Sequence, residues 1–185
     1  DTPFGIPTNP SKSKKYSFSV YESSAESHNT VLFMIDRTKR KILYVDRTSV
    51  KKNIQDIDNY KVFIPGAYGA GETYPHQILG VPEYASPNSV CSQSYLYASF
   101  HTENESKNFI KYLKTKFFRV LVLAVKNTQH AQDDVYRFVP LQDFASNSDI
   151  DWEESIFSIN HQLYKKYHLS KEEINFIESM IKPME

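Results

Sequence analysis

The 185-residue sequence is 40% hydrophobic and 14% aromatic, enough to bury one substantial core. Its 22 basic and 22 acidic residues cancel, so no global field points to nucleic acid or membrane, although a zero sum can still hide a basic face. The single cysteine, Cys91, excludes an intramolecular disulfide and a cysteine-based zinc site, and the longest apolar run, Val120 to Val125, is too short to span a bilayer. A soluble, cytoplasmic protein with no membrane partner is the expectation.

Residues 1–15 are polar and Pro-rich, lack the apolar core of a signal peptide and lack an initiator methionine; they read as a leader or linker from a longer parent chain. Tyr16 to Tyr21 alternates apolar residues with serine, the period of a half-buried strand. Val31 to Ile35 and Ile42 to Val45 predict two strands joined by a charged tip, Asp36 to Lys41, whose Lys39 and Lys41 either solubilise a turn or meet phosphates. Thr48 to Ile57 predicts a short helix with Lys51 and Lys52 towards solvent.

Val62, Phe63 and Ile64 predict a buried strand stopped by Pro65, after which a loop carries four of the five glycines between Gly66 and Gly80. Gly66, Gly69 and Gly71 permit positive φ and close approach of a partner. A long loop dense in aromatic and hydrogen-bonding side chains is expected to be functional. Ser89 to Phe100 alternates as a strand, and Thr102 with Glu105 offers a capping box for one long core helix in which Phe109, Leu113, Phe117, Val120, Leu121 and Ala124 share a face. From Phe117 onward that helix reads as buried all round, which obliges Arg119 to find a partner. Val135 to Leu141 reads as an edge strand. Asp151 with Glu154, and Ser170 with Glu173, predict capped helices running to about Tyr167 and Ile181. The expected fold is α+β: a mixed or antiparallel sheet with one long core helix (16–145) and a C-terminal helical segment (146–185).

Catalytic patterns are missing. There is no phosphate-binding Gly-rich lysine loop, no GxSxG elbow and no HExxH, and the six histidines are scattered. No catalytic residue, metal site or bound cofactor is expected, and nothing in the spacing joins Cys91 to His76 or His130 as a nucleophile and base.

Several strings resemble the C-terminal region of bacterial adenine-specific DNA methyltransferases of restriction-modification systems, including those fused to a nuclease. They are YKVFIPGAYGAGETYPHQILG (Tyr60 to Gly80), PNSVCSQSYL (Pro87 to Leu96), NFIKYLKTKFFRVLV (Asn108 to Val122), VYRFVPLQDF (Val135 to Phe144) and the tail from Ile150 to Met184. His168 departs from the family, which more often has Gly or Asn after the YKKY string. The family's methyl-transfer chemistry lies upstream, in a domain with a cofactor-binding glycine motif and an Asn-Pro-Pro-Tyr segment; Asn9-Pro10-Ser11-Lys12 lacks the second proline and the aromatic. The resemblance therefore implies a target recognition domain, with double-stranded DNA and the upstream methyltransferase domain as partners and S-adenosylmethionine confined to the parent chain. Base edges are read by Arg, Lys, Asn and Gln, and phosphates accept from Lys, Ser, Thr, Tyr and backbone amides. On that basis Tyr68, Thr73, Tyr74, His76 and Gln77 in the central loop, Thr128, Gln129 and His130 after the core helix, and Lys39, Lys41 and Lys61 are candidate DNA contacts. A protein-interaction module joining parts of a restriction-modification complex, with the C-terminal helices as docking surface, and a nuclease domain are the alternatives.

Overall fold

A computed structural model describes residues 2–8, 10, 18–69, 72–131 and 133–184. The chain divides into two compact units, Asp1–Gly66 with Tyr84–Glu103, and Ala67–Glu83 with Asn104–Glu185. The cuts follow the central loop, so the boundaries run elsewhere than the expected break near residue 145.

In the first unit, β1 (Thr30–Asp36) and β2 (Lys39–Val45) form an antiparallel hairpin with Thr30 opposite Val45 and Asp36 opposite Lys39. The turn is only Arg37-Thr38, with Arg37 at φ 58°, so Lys39 to Lys41 belong to the strand. The predicted 89–100 strand divides. Of its two parts, β5 (Ser89–Cys91) runs parallel to β1, whereas β6 (Tyr95–Phe100) pairs antiparallel with β3 (Tyr60–Pro65). A short β4 (Glu83–Ala85), not anticipated, lies on the other side of β3, giving two small three-stranded sheets. The predicted helix at 48–57 is instead two 3₁₀ turns, Arg47–Ser49 capped by Asp46 and Ile54–Asp56 entered through Asn53 at φ 50°. Of the predicted strand at 16–21, Tyr16 and Ser17 lie outside the described residues, and Tyr21 forms only an isolated bridge with Tyr44.

The core of this unit is built on Leu32, Val45, Val50, Ile57, Phe63, Val90, Cys91 and Tyr95, and it includes Phe4 and Ile6. Part of the expected leader is therefore core: Phe4 and Ile6 are fully buried, and the Ile6 carbonyl accepts from the Gln93 amide at 2.9 Å. Burying two such side chains contributes about 3–6 kcal/mol before entropy is counted. Lys61 is corrected more sharply. Its side chain is 0% exposed, and its ammonium donates to the carbonyls of Asp56, Ile57 and Asn59 at 2.9, 2.9 and 2.6 Å. All three protons are satisfied within the fold, so Lys61 offers nothing to a phosphate.

In the second unit the expected single core helix is broken into α1 (Glu103–Lys114) and α2 (Lys116–Leu123). Thr115 between them is extended, and its hydroxyl caps α2 by accepting the Phe118 amide at 3.1 Å. Nor is α2 buried all round, since Val120 and Leu121 are only half-buried. Residues 135–141 are not a strand: Asp133–Tyr136 is a 3₁₀ turn, Val135 is buried, and Leu141 is 89% exposed. Apolar residues fall on both alternating faces of that stretch, so its period never distinguished a strand. The last two helices are α3 (Ile156–Lys166) and α4 (Lys171–Met180). α4 has the expected capping box of Ser170 and Glu173. α3 is capped by Ser155 instead of Asp151, whose carboxylate accepts the Glu153 amide in a turn of its own. Tyr112, Phe118, Phe144 and Trp152 pack edge-on and tilted at 5.0–6.0 Å, and Leu163 and Ile177 are buried as well. The protein is α+β, and among the described residues no helix is long and apolar enough to cross a membrane.

Candidate functional site

The central loop is held by atoms from far along the chain, all within the second unit. Ala67 bridges His130, the Tyr68 amide donates to the Gln129 carbonyl at 2.8 Å, and the Lys126 ammonium donates to the Tyr68 carbonyl at 2.7 Å. Further on, the His76 amide donates to the Met180 carbonyl at 2.9 Å and the Lys182 amide to the His76 carbonyl at 2.8 Å. The loop is thereby tied at one end to the segment after α2 and at the other to the end of α4.

Glu72 organises the middle. Its carboxylate, only 15% exposed, accepts the amides of both Gln77 and Ile78 and lies 4.0 Å from His76 Nδ1. From the opposite side Arg119 donates to the Gln77 carbonyl at 3.1 Å, and to the carbonyls of Lys114 and Thr115 at 3.0 and 3.2 Å. That is the partner Arg119 needed. Burial lowers its guanidinium to about 10, with Glu72 the first group opposing the drop. Burial likewise lowers the Lys126 ammonium, again opposed by Glu72. Between these clamps Ile78 stands at φ 74°, a conformation that costs a β-branched residue about 1–3 kcal/mol and persists only where its surroundings over-determine it. Gly69 has φ 98°, and a Cβ there would sit 3.3 Å from Glu72 Oε2 and 3.4 Å from Lys126 Nζ. Gly66 is not among the positive-φ glycines, and Gly71 lies outside the described residues.

These ties open a cleft of about 670 Å³ lined by Gly69, Glu72, His76, Ile78, Lys126 and Asn127 to His130. A second depression of about 420 Å³ shares Gly69 and Glu72 with it and is lined by Tyr68, Thr73, Tyr74, Pro75 and Lys182. The structure therefore gathers Tyr68, Thr73, Tyr74, His76, Thr128, Gln129 and His130 around two adjoining hollows. Gln77 is not among them; its side-chain amide donates to the Leu79 carbonyl at 2.9 Å. Lys39 and Lys41 lie on β2 of the first unit, exposed, with Lys41 paired to Asp36 at 2.6 Å.

Sequence reasoning missed Lys126, and it saw Glu72 only as one of the polar residues of the loop, without a role in the site. The available signal was a charged residue directly after the apolar run of α2 and an acid inside a Gly-rich loop, which gain meaning only as a pair. Among the described residues no three His, Cys, Asp or Glu side chains cluster as metal ligands. Cys91 is buried, and burial pushes its thiol well above the ordinary range, the reverse of what a nucleophile needs. No family model, curated protein or solved structure matches this chain.

Proposed function

We propose that the chain is a DNA-binding target recognition domain of a restriction-modification adenine-specific DNA methyltransferase, with or without a fused endonuclease. The observation that carries this reading is the convergence of Gly69, Glu72, His76 and Ile78 with residues 126–130 on one open cleft. Two imidazoles, two carboxamides, a hydroxyl and an ammonium line it beside the Glu72 carboxylate, a set able to address base edges and phosphates together. Lys126, Thr128 and the exposed Lys39 and Lys41 are the phosphate-type contacts; His76, Gln129 and His130 are the readers. Gln77, engaged with its own loop, is a lesser reader than its residue type suggested. The resemblance puts methyl transfer and S-adenosylmethionine in an upstream domain of the parent chain.

The test is selection of duplexes from a random-sequence pool, followed by salt titration of the recovered duplex and a scrambled one. A recurring short motif should be enriched, and log affinity should fall with log salt by about 0.9 per phosphate contact. Gln129→Ala should weaken the recovered duplex by about tenfold and leave the scrambled one little changed. No enriched motif and no salt-dependent binding would favour the second reading, a docking module within the same kind of complex. The observation on that side is the groove between α2 and α4, lined by Phe117, Val120, Leu121, Leu169, Phe176 and Ile177, with Phe176 53% exposed.

A further inference from the structure

The Gln77–Ile78 peptide is gripped from both sides by opposite charges that do not face the same way. The Glu72 carboxylate takes two successive amides, while the Arg119 guanidinium takes the carbonyl between them. Two successive N–H groups converging on one anion form the kind of concavity that elsewhere binds phosphate. Here the protein's own carboxylate fills it, so the nest serves shape rather than ligand capture. The residue locked by this grip, Ile78, is buried, left-handed and part of the cleft wall, and His76 lies two positions before it on the same wall.

We propose that Glu72 and Arg119 are positioning residues which hold the strained turn at Ile78 and thereby aim His76 and the cleft wall at the base edges to be read. The inference rests on the cleft being a DNA surface. Glu72 gives it an unusual sign. A carboxylate at the mouth of a DNA-binding cleft repels phosphates, so its neutralisation by Glu72→Gln should by charge alone strengthen binding to every duplex. A positioning role demands the opposite for the selected sequence, because a loosened wall loses the geometry that base contacts require. Arg119 is buried in α2 and is not part of the cleft lining, so no direct DNA contact confounds its variant.

The experiment uses the full chain, Glu72→Gln and Arg119→Lys, with the duplex recovered by selection and a scrambled duplex as probes. Hydrogen exchange of the Gln77 and Ile78 amides supplies a readout independent of DNA. Both variants should exchange at these amides roughly tenfold faster than wild type while the hairpin amides of β1 and β2 are unchanged. Both should bind the selected duplex about tenfold more weakly and the scrambled duplex as well as or better than wild type. Should Arg119→Lys fail to fold, judged by loss of protection throughout, Glu72→Gln decides alone. Tighter binding to both duplexes by Glu72→Gln, or faster exchange without a change in the ratio of the two affinities, would overturn the proposal. If the wild type selects no duplex, the DNA reading falls; unchanged exchange would then also dispose of the grip, and accelerated exchange would leave a clamp without a reading role, which likewise overturns the proposal.

Discussion

The β1–β2 hairpin and the central loop both carry residues that the sequence offers as DNA contacts, yet they are held in different ways. The two strands of the hairpin are joined locally, by seven facing pairs, a two-residue turn and an ion pair between Asp36 and Lys41 at the tip, with β5 added along the other edge of β1. The loop is held by Gln129, Lys126, Arg119, Met180 and Lys182, none of them near it in sequence. Local pairing makes a shape robust to change elsewhere, whereas remote pairing makes a shape hostage to single buried groups.

The contrast breaks most visibly at Arg119. Arg119→Ala removes the guanidinium from three carbonyls and leaves a cavity where the fully buried side chain stood, so we expect a loss of about 3 kcal/mol or more in urea unfolding. A loss below about 1 kcal/mol would mean that the loop is held without it.

Lys61 sets the same contrast inside the first unit, against Lys41. Lys61→Met should cost about 2 kcal/mol at pH 7, since it removes three hydrogen bonds from the ammonium to backbone carbonyls. Burial lowers the Lys61 ammonium from 10.5 to about 8, with Asp56 and Asp58 opposing. Between those values the unfolded chain holds a proton that the folded chain has shed, so stability rises with pH there. Tyr97, whose phenol burial pushes up, reverses the trend above about pH 10. Over the range in which Lys61 acts, Cys91, whose thiol burial pushes up, works the other way, so the checkable quantity is a difference: from pH 8 to 9.5 the stability of wild type should rise by about 1–2 kcal/mol relative to Lys61→Met, and equal slopes would deny Lys61 its part.

Gly69→Ala comes next. With φ 98° and a Cβ pressed between Glu72 and Lys126, it should lose about 1–2 kcal/mol in thermal unfolding. Lys41→Ala at the hairpin tip is the smallest effect. An exposed pair of this kind contributes at most about 0.5 kcal/mol, and a larger measured change would erase the distinction between the two regions.

That distinction also explains how far the sequence could be read. Short apolar runs placed β1, β2 and β3, and the Ser170–Glu173 spacing placed the start of α4, because each signal lies within a few residues of its structural effect. Thr115 read as helix interior because its capping role exists only once its hydroxyl meets the Phe118 amide. Phe4 and Ile6 were read as leader because two apolar residues among prolines carry no period, although their burial decides their role. In the site, residue types picked out both loops, but their meeting depends on Lys126, Glu72 and Arg119, whose pairing leaves no local pattern. Lys61 failed as a candidate for the related reason that a lysine's surroundings, not its identity, decide whether its charge is available.

The ladder joining His76 to Met180 and Lys182 has a consequence in time. During synthesis residues 67–78 leave the ribosome long before 180–182, and hydrophobic segments of β1 to β3 can already collapse while the loop still lacks one of its moorings. The cleft wall is thus completed only after Met180 and Lys182 have been made. A nascent chain stalled short of Met180 would carry a finished hairpin and an unset loop, exposed to proteases at its Gly- and Pro-containing stretch until α4 is complete.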